Sequence, residues 1–533
     1  MATSPQRAYR AACPNCGAPV EFASAASASA VCGFCRSTLV RDGDALQRIG
    51  TSAELFDDHS PLQLGASGTY KGLPFTLVGR LQLGYAEGTW NEWHALFDSG
   101  RSGWLSEDNG SYVFAFDAPW PGDAPADAAA AVRLPIGRPQ FVDGRAWTVA
   151  SIVKAHLIAA QGELPSPPRL DGDFIVVDLR NVQDEVGTLD YSDPKQPHWS
   201  VGRPVLLADL KMSGLTTTTS EKTLAGRSIE CPGCGASLAI TLDTTQSIAC
   251  GQCHTVTDVS QGIGGELAHY RQNNSGEGGL QPLIPLGRSG TLSLGTPQAE
   301  PWQVVGYLER CDLPSPGDDE EQVFWREYLL YHREHGFAFL VDSEEDGWSW
   351  MRPITGTPGG QGDRVTWRGV TYQKGYSYRA KVTWVLGEFY WRVRRGEEAQ
   401  VTDYAGTGKA STSRLSKEQT AGEVVWSAGR TIDAVVVAKA FGIADHAALQ
   451  RDAAPLASVK SPAAMSRTAV LIVLFVLLMI ILVTCSSDDC DDARRAFGEN
   501  SNEYQQCLRT AGSGSSRIGG GSWGGYSSGG GHK

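Results

Sequence analysis

Apolar positions along this chain fall in short runs broken by turn residues, not at the three-to-four spacing of amphipathic helices. Phe75-Thr76-Leu77-Val78, Tyr112-Val113-Phe114-Ala115-Phe116, Trp147-Thr148-Val149 and Phe174-Ile175-Val176-Val177 have strand length and are rich in β-branched and aromatic residues. A hairpin is predicted where Val365-Thr366-Trp367 and Val370-Thr371-Tyr372 flank Arg368-Gly369. A longer one is predicted over Tyr378 to Leu386 and Glu388 to Arg394, turning at Gly387. Short strands with frequent turns predict a sandwich or barrel rather than a βαβ sheet. The Ala/Pro-rich stretch 117–133 breaks the pattern and reads as an exposed loop, and Ile443 to Ala454 has helical character.

The pattern is written twice. WNEWHALFDSGRSGW, from Trp90 to Trp104, is echoed from Trp325 onward by WREYLLYHREHGFAFLVDSEEDGW. Trp90, Glu92 and Trp93 match Trp325, Glu327 and Tyr328; the Asp-Ser-x-x-x-Gly-Trp strings match Asp98 to Trp104 with Asp342 to Trp348. Outside them, Leu64 to Thr69 returns as Leu286 to Thr291, and Trp199-Ser200-Val201-Gly202-Arg203 as Trp426-Ser427-Ala428-Gly429-Arg430. Two duplicated β modules are therefore expected, at residues 54–215 and 282–441. Trp90 should lie over Trp325, and Trp104 over Trp348.

Each module follows a four-cysteine cluster. Cys13, Cys16, Cys32 and Cys35 have fifteen residues between the inner pair, and Cys231, Cys234, Cys250 and Cys253 repeat that gap. Such spacing predicts a closed tetrahedral site of the structural kind, so two zinc ribbons are expected at 8–43 and 228–262, holding two zinc ions. A rubredoxin-like iron site, or thiols that hold no metal, is the alternative for this donor set. Gly17 and Gly33 are expected to ease the turns beneath the thiolates. Sixty-two glycines and fifteen tryptophans agree with a turn-rich β protein, and 533 residues are too many for one core. The net charge of -13 argues against a general nucleic-acid binder, and the ribbons lack a surrounding Lys/Arg cluster.

The composition changes after the second module. Residues 442–467 read as a helix and linker, and Thr468 to Thr484 (TAVLIVLFVLLMIILVT) are seventeen uncharged residues. At about 1.5 Å per residue that run is at the short end of the roughly 17–25 residues that span a hydrocarbon core of about 30 Å. A single transmembrane helix is expected there. The start, MATSPQRAYR, carries no apolar export signal, and thiolate metal sites need a reducing compartment. The expected arrangement is a cytosolic N-terminal bulk with the 485–533 tail outside the inner membrane. In that oxidising setting Cys490 and Cys507 could close a disulfide; the Gly/Ser-rich remainder has no core of its own.

WNEWHALFDSGRSGWLSE, behind a strand ending in Val78-Gly79-Arg80, resembles the bacterial domain family catalogued as domain of unknown function 4178. The resemblance covers both modules and is clearest in the first. In the second, Asn91 gives way to Arg326, and Gly100-Arg101 to Glu344-Glu345, so a ligand held by Arg101 would not be handled alike by both copies. The resemblance implies a β-rich bacterial domain, often joined to zinc ribbons or membrane segments, and implies no active site.

Candidate chemistry is then read from the residues. Glu92 with Asp98, and Glu327 with Asp342, could be acid–base pairs; the favoured reading puts each Glu between aromatics at a strand edge and each Asp-Ser at a turn. Trp90, Trp93, Trp104, Trp325, Tyr328 and Trp348 could line an aromatic groove, with Arg101 beside it, but read first as core. His332 and His335 are expected at an exposed turn, Arg392, Arg394 and Arg395 on a solvated strand face, and Cys311 inert. No phosphate-binding loop, nucleophile elbow or dinucleotide fingerprint is present. The favoured function is a membrane-anchored, non-enzymatic scaffold or sensor that binds a protein partner. The alternatives are a hydrolase-type enzyme and a membrane-tethered nucleic-acid binder.

Overall fold

The computed structural model describes residues 9–22, 29–42, 45–51, 60–86, 88–108, 110–168, 172–216, 228–240, 245–259, 269–272, 282–314, 322–332 and 335–451. The predicted transmembrane run, its linker from 452 on, and Cys490 and Cys507 lie outside these residues. Among the described residues no helix is long and apolar enough to cross a membrane.

Eight strands build the first module: β1 (Leu73–Gly84), β2 (Thr89–Phe97), β3 (Ser102–Asp108), β4 (Ser111–Ala118), β5 (Arg145–Leu164), β6 (Phe174–Arg180), β7 (Val186–Asp190) and β8 (His198–Val205). β1 to β4 form one antiparallel meander and β5 to β8 another. Pairing of β4 with β8 and of β1 with β5 joins the two meanders into a closed ring. The second module repeats this order with β9 (Glu300–Leu313), β10 (Phe324–His332), β11 (Gly336–Ser343), β12 (Gly347–Ile354), β13 (Val370–Phe389), β14 (Glu398–Gly406), β15 (Ser413–Gln419) and β16 (Val424–Thr431). Here β12 meets β16 and β9 meets β13. The expected duplication is thus a duplicated barrel.

Alternation along the strands gives each barrel two cores. Leu308, Trp325, Leu329, Phe339, Met351, Val382 and Val401 come from six strands of the second ring and meet in one cluster. Only residues on the enclosed side can do so, which makes this the lumen. Their neighbours Tyr307, Tyr328, Leu330, Leu340 and Trp348 form an outer core. That outer face is covered by α1 (Ala434–Phe441), which is capped by the Asp433 side chain, ended by Gly442 at φ 62°, and buries Val437, Ala438 and Phe441. Helical structure was expected later, at 443–454. The helix sits earlier because its apolar face closes the barrel wall, and only a short 3-10 turn, Ala447–Leu449, follows. In the first module the 3-10 turn Leu207–Leu210 occupies the same place after the last strand.

Each ribbon is continuous with its barrel. Ser29–Val31 pairs with Gly162–Leu164 at the end of β5, and Ser247–Ala249 pairs with Gly387–Phe389 at the end of β13. At that junction the barrel strand serves two neighbours at once, since Gly162 also pairs with Gly79 of β1 and Gly387 with Gly306 of β9. Gly387 is therefore not the turn of a hairpin. It lies inside a 20-residue strand, at φ 82°, where the wall of the barrel branches toward the ribbon. β1 likewise does not end at Arg80. A bulge between Leu77 and Gly79 reverses the inward face of the strand, which runs on to Gly84.

The modules touch. Ile152 N–H donates to Gly422 O at 3.2 Å beside a bridge between Ser151 and Glu423, Thr357 N–H donates to Asn181 O at 3.3 Å, and Arg392 donates to Ala86 O at 2.8 Å. Arg392, Arg394 and Arg395 follow the end of β13 and are not a strand face; the preceding Trp391 and the intervening Val393 are buried. Stretch 117–133 also departs from expectation. It is not a bare loop: Asp127 caps a short helix at Ala128–Ala131, Ala131 is fully buried, and Trp120 packs edge-on against Tyr191. The Arg368-Gly369 hairpin is found as predicted, with both residues at positive φ.

Candidate functional site

The two cysteine sets converge as their spacing requires. In each set all four sulfurs lie within 4.8 Å of one another. Cys13 Sγ is 3.6 Å from Cys35 Sγ and Cys16 Sγ 3.7 Å from Cys32 Sγ; the second set gives 3.5 Å for Cys231–Cys253 and 3.7 Å for Cys234–Cys250. Four sulfurs at the usual zinc–sulfur distance of about 2.3 Å stand about 3.8 Å apart at the edges of a tetrahedron. The sets are therefore preformed for a tetrahedral S4 metal ion.

Each Cys-x-x-Cys loop is closed by a backbone bond from four residues on: Gly17 N–H to Cys13 O and Arg36 N–H to Cys32 O, then Gly235 N–H to Cys231 O and His254 N–H to Cys250 O. That fifth residue is left-handed in all four loops, at φ 76° and 57° in the first ribbon and 74° and 57° in the second. Gly17 and Gly235 have the freedom this needs; Arg36 and His254 adopt it without that freedom, and Gly33 is not in the left-handed region. The Cys35 thiol is drawn down to about 5, first by the Asn15 side chain and then by Ser37, and that of Cys253 to about 6 by Thr255. The neighbouring thiols move the other way, Cys16 and Cys234 each being pushed up to about 12, so without a cation each cluster holds its first negative charge on Cys35 or Cys253 and resists further ionisation.

Trp90 and Trp325 occupy the same place, second in β2 and β10, facing the lumen and nearly fully buried. Each indole donates to the Glu two residues on, Trp90 to Glu92 at 3.0 Å and Trp325 to Glu327 at 2.7 Å. These glutamates are not at a strand edge. They point into the barrel, where charge must be paired. Glu92 also takes the Ser106 hydroxyl. Glu327 shares Arg310 with Glu418: Arg310 reaches Glu418 at 2.7 and 3.2 Å and Glu327 at 3.4 Å.

Burial, with the charge of Glu418 adding to it, outweighs Arg310 and pushes the Glu327 carboxyl up from 4.5 to about 7. Between those values the folded barrel keeps a proton that the unfolded chain has lost. Its contribution therefore destabilises the fold as pH rises through that window, by up to about 3 kcal/mol. Glu327→Gln is expected to flatten the dependence of melting temperature on pH between 5 and 8. Asp346, pushed up to about 7 by burial and then by Asp403, will leave a residual slope of the same sign. An unchanged slope would place the titration elsewhere.

A second polar cluster lies on the outer face. In the first module Arg80 stacks over Trp93 at 4.7 Å and donates to Asn91 at 2.8 Å, while Glu107 accepts from Trp93 at 2.9 Å, Tyr112 at 3.2 Å and Ser60 at 2.6 Å. In the second, Asp342 accepts from Arg326 at 3.1 Å and Arg451 at 2.7 Å, and the Trp348 indole donates to Leu449 O at 2.8 Å. The registers make Glu107 the counterpart of Asp342, since Glu107 faces Asn91 as Asp342 faces Arg326.

This overturns one reading of the repeat. Asp98 to Trp104 contains the turn between the second and third strands of its barrel; Asp342 to Trp348 contains the turn between the third and fourth. Trp104 is therefore the counterpart of Phe339, not of Trp348, and is only half-buried, beside His94. Asp98 and Arg101 are exposed, whereas Asp342 is buried. Trp93, Tyr328 and Trp348 are core, as expected. His332 and His335 are partly buried against Trp302, not exposed, and Cys311 is buried in β9. Sequence reading missed Arg80, Glu107, Arg310 and Glu418, which become partners only when the rings close.

No curated protein and no solved structure matches this chain. A family model described as "Domain of unknown function (DUF4178)" matches residues 63–207 and 293–434, just over half of the chain. The matched segments enclose each eight-stranded ring from its first strand to its last and leave both ribbons outside. The chain belongs to the DUF4178 family and carries its domain twice.

Proposed function

We propose that this protein is a non-enzymatic scaffold or sensor, held at the cytoplasmic face of a bacterial inner membrane by residues 468–484, with a protein partner bound to its barrels. The observation that carries this reading is the commitment of the repeated stretch to structure. Glu92, Glu107, Glu327 and Asp342 are buried and taken up by partners within the barrel walls and lumens. The surfaces are then what is left to act. The hydrolase reading would need those carboxylates to open on a cavity, and the nucleic-acid reading would need a basic face.

Zinc is the proposed occupant of both cysteine sets, as a structural ion that holds each ribbon against its barrel. Four thiolates suit zinc or iron alike, and a colourless metallated protein would favour zinc.

Anchoring supports the scaffold reading because a single span would keep both modules beside the membrane. A reporter active only outside the cytosol, fused after His532, is expected to be active, and in a Cys485→Ser background Cys490 and Cys507 should react in intact cells only after reduction. An inactive reporter on a full-length, inserted chain would put the tail inside and end the proposed orientation.

A further inference from the structure

We infer that the cleft on the outer wall of the first barrel, floored by Tyr70, Phe114 and Phe116 and rimmed by Lys71, Arg101 and Arg203, docks an acidic segment of a protein partner through an aromatic anchor. The inference rests on the scaffold reading and assigns its contact surface.

The cleft has a volume of about 240 Å³. That is below the roughly 300–1,000 Å³ of small-molecule and cofactor sites, and it suits one large side chain inserted from a longer segment. Its floor is a stack of rings: Tyr70 lies parallel to Phe114 at 4.3 Å, and Phe114 to Phe116 at 5.4 Å. An aromatic anchor adds to such a stack at the offset and edge geometries that rings prefer.

The rim sets the charge. Arg101 lies over Phe116 at 3.9 Å, a contact with the aromatic face that leaves the guanidinium its charge. Lys71 and Arg101 are exposed, and among the described residues neither forms an ion pair with an acidic side chain. Arg203 is bound at 2.7 Å to Glu185, which Arg145 also reaches. The rim therefore presents three cations against one satisfied acid, on a chain whose net charge is -13. Local charge of the minority sign steers an anionic partner to this place. A nucleic-acid strand fits less well, because its phosphates would extend past three cations onto an acidic protein.

The duplication supplies a control within the molecule. Phe116 faces Val201 in β8 as Arg352 faces Ala428 in β16, so Arg352 holds the place of Phe116 in the second barrel. Arg352 lies over Trp302 and donates to His335 O at 2.6 Å, a residue of its own module. The same site is filled from within in copy two and open in copy one. Only the first module should dock.

The test uses the full chain in detergent and a fluorescent, N-acetylated Asp-Glu-Phe-Glu-Asp peptide as probe. The peptide is expected to bind with an affinity that falls as salt rises. Arg101→Glu and, independently, Lys71→Glu should each weaken it at least tenfold, as should Phe→Ala in the probe. Arg430→Glu, at the second-module counterpart of Arg203, should leave it unchanged. No binding, or binding indifferent to Arg101→Glu, overturns the inference; so does an eight-residue oligothymidine that binds through Arg101 while the peptide does not. A crosslinked pull-down from cells separates the two levels. A partner recovered equally with Arg101→Glu leaves the scaffold and removes the cleft; no specific partner removes both.

Discussion

Gly387→Ala is expected to lower the melting temperature of the second module by roughly 10 °C or more, whereas Gly100→Ala lowers that of the first by about a third as much. Both glycines are left-handed, at φ 82° and 81°. That conformation alone costs a non-glycine residue about 1–2 kcal/mol. Nothing lies near a Cβ at Gly100, but one at Gly387 would overlap the carbonyl oxygen of Val305 on the neighbouring strand. Backbone cannot yield there without breaking the pairing that closes the barrel. The total should reach about 3–5 kcal/mol, the upper range for a single substitution. For a module of this size each kcal/mol shifts the midpoint by about 2–4 °C. Gly162, whose Cβ would overlap Val78 O, should behave alike in the first barrel. Equal effects of Gly387→Ala and Gly100→Ala, read by calorimetry, would mean the junction is not close-packed.

Cys250→Ser is expected to release one of two bound metal ions and to unfold the second ribbon alone. The ribbon cores are too small to stand without metal: the first comprises Cys13, Val20, Ala30, Cys32 and Leu39, so two of its five buried side chains are themselves thiols. In such modules metal-binding energy, of order 10–16 kcal/mol for structural zinc sites, is folding energy. Cys250 is fully buried and directly follows the strand Ser247–Ala249 that pairs with β13. Losing its metal should therefore free that strand and expose the ribbon to protease, while the lumen core of the barrel, built mostly from other residues, keeps the ring folded. Elemental analysis should fall from two ions per chain to one, with proteolysis confined to 228–262. Two retained ions, or none in the unmodified chain, would refute the assignment.

Much of this protein is legible in its sequence, for reasons of range. The four-cysteine clusters are set by thiols with two and fifteen residues between them, distances a local loop controls, and the structure brings the sulfurs together in two sets of four, as spaced. The duplication and β character are equally plain, because period-two burial is a property of each strand by itself. Where strings were compared without strand order, reading failed. Asp-Ser-x-x-x-Gly-Trp recurs, yet it marks different turns of the two barrels, because a turn sequence records local geometry and not its rank in the ring. Gly387 resembled a hairpin turn for the same reason: glycine signals a positive φ, which a branching strand needs as much as a reversal does.

The sequence by itself determined two repeats of short strands, each behind a four-thiolate centre, followed by a long apolar run. Only the tertiary structure decided that each repeat closes into a ring, that each ribbon grows out of its barrel strand, and which charges lie inside. Closure joins β1 to β5 and β9 to β13, whose paired residues lie some seventy positions apart in the chain, and no local periodicity encodes such a partner. The environment of Glu327 follows from that closure. Glu327 and Trp325 are neighbours in sequence, but Arg310 and Glu418 arrive from other strands, and they fix whether that carboxyl is a surface charge or a buried acid.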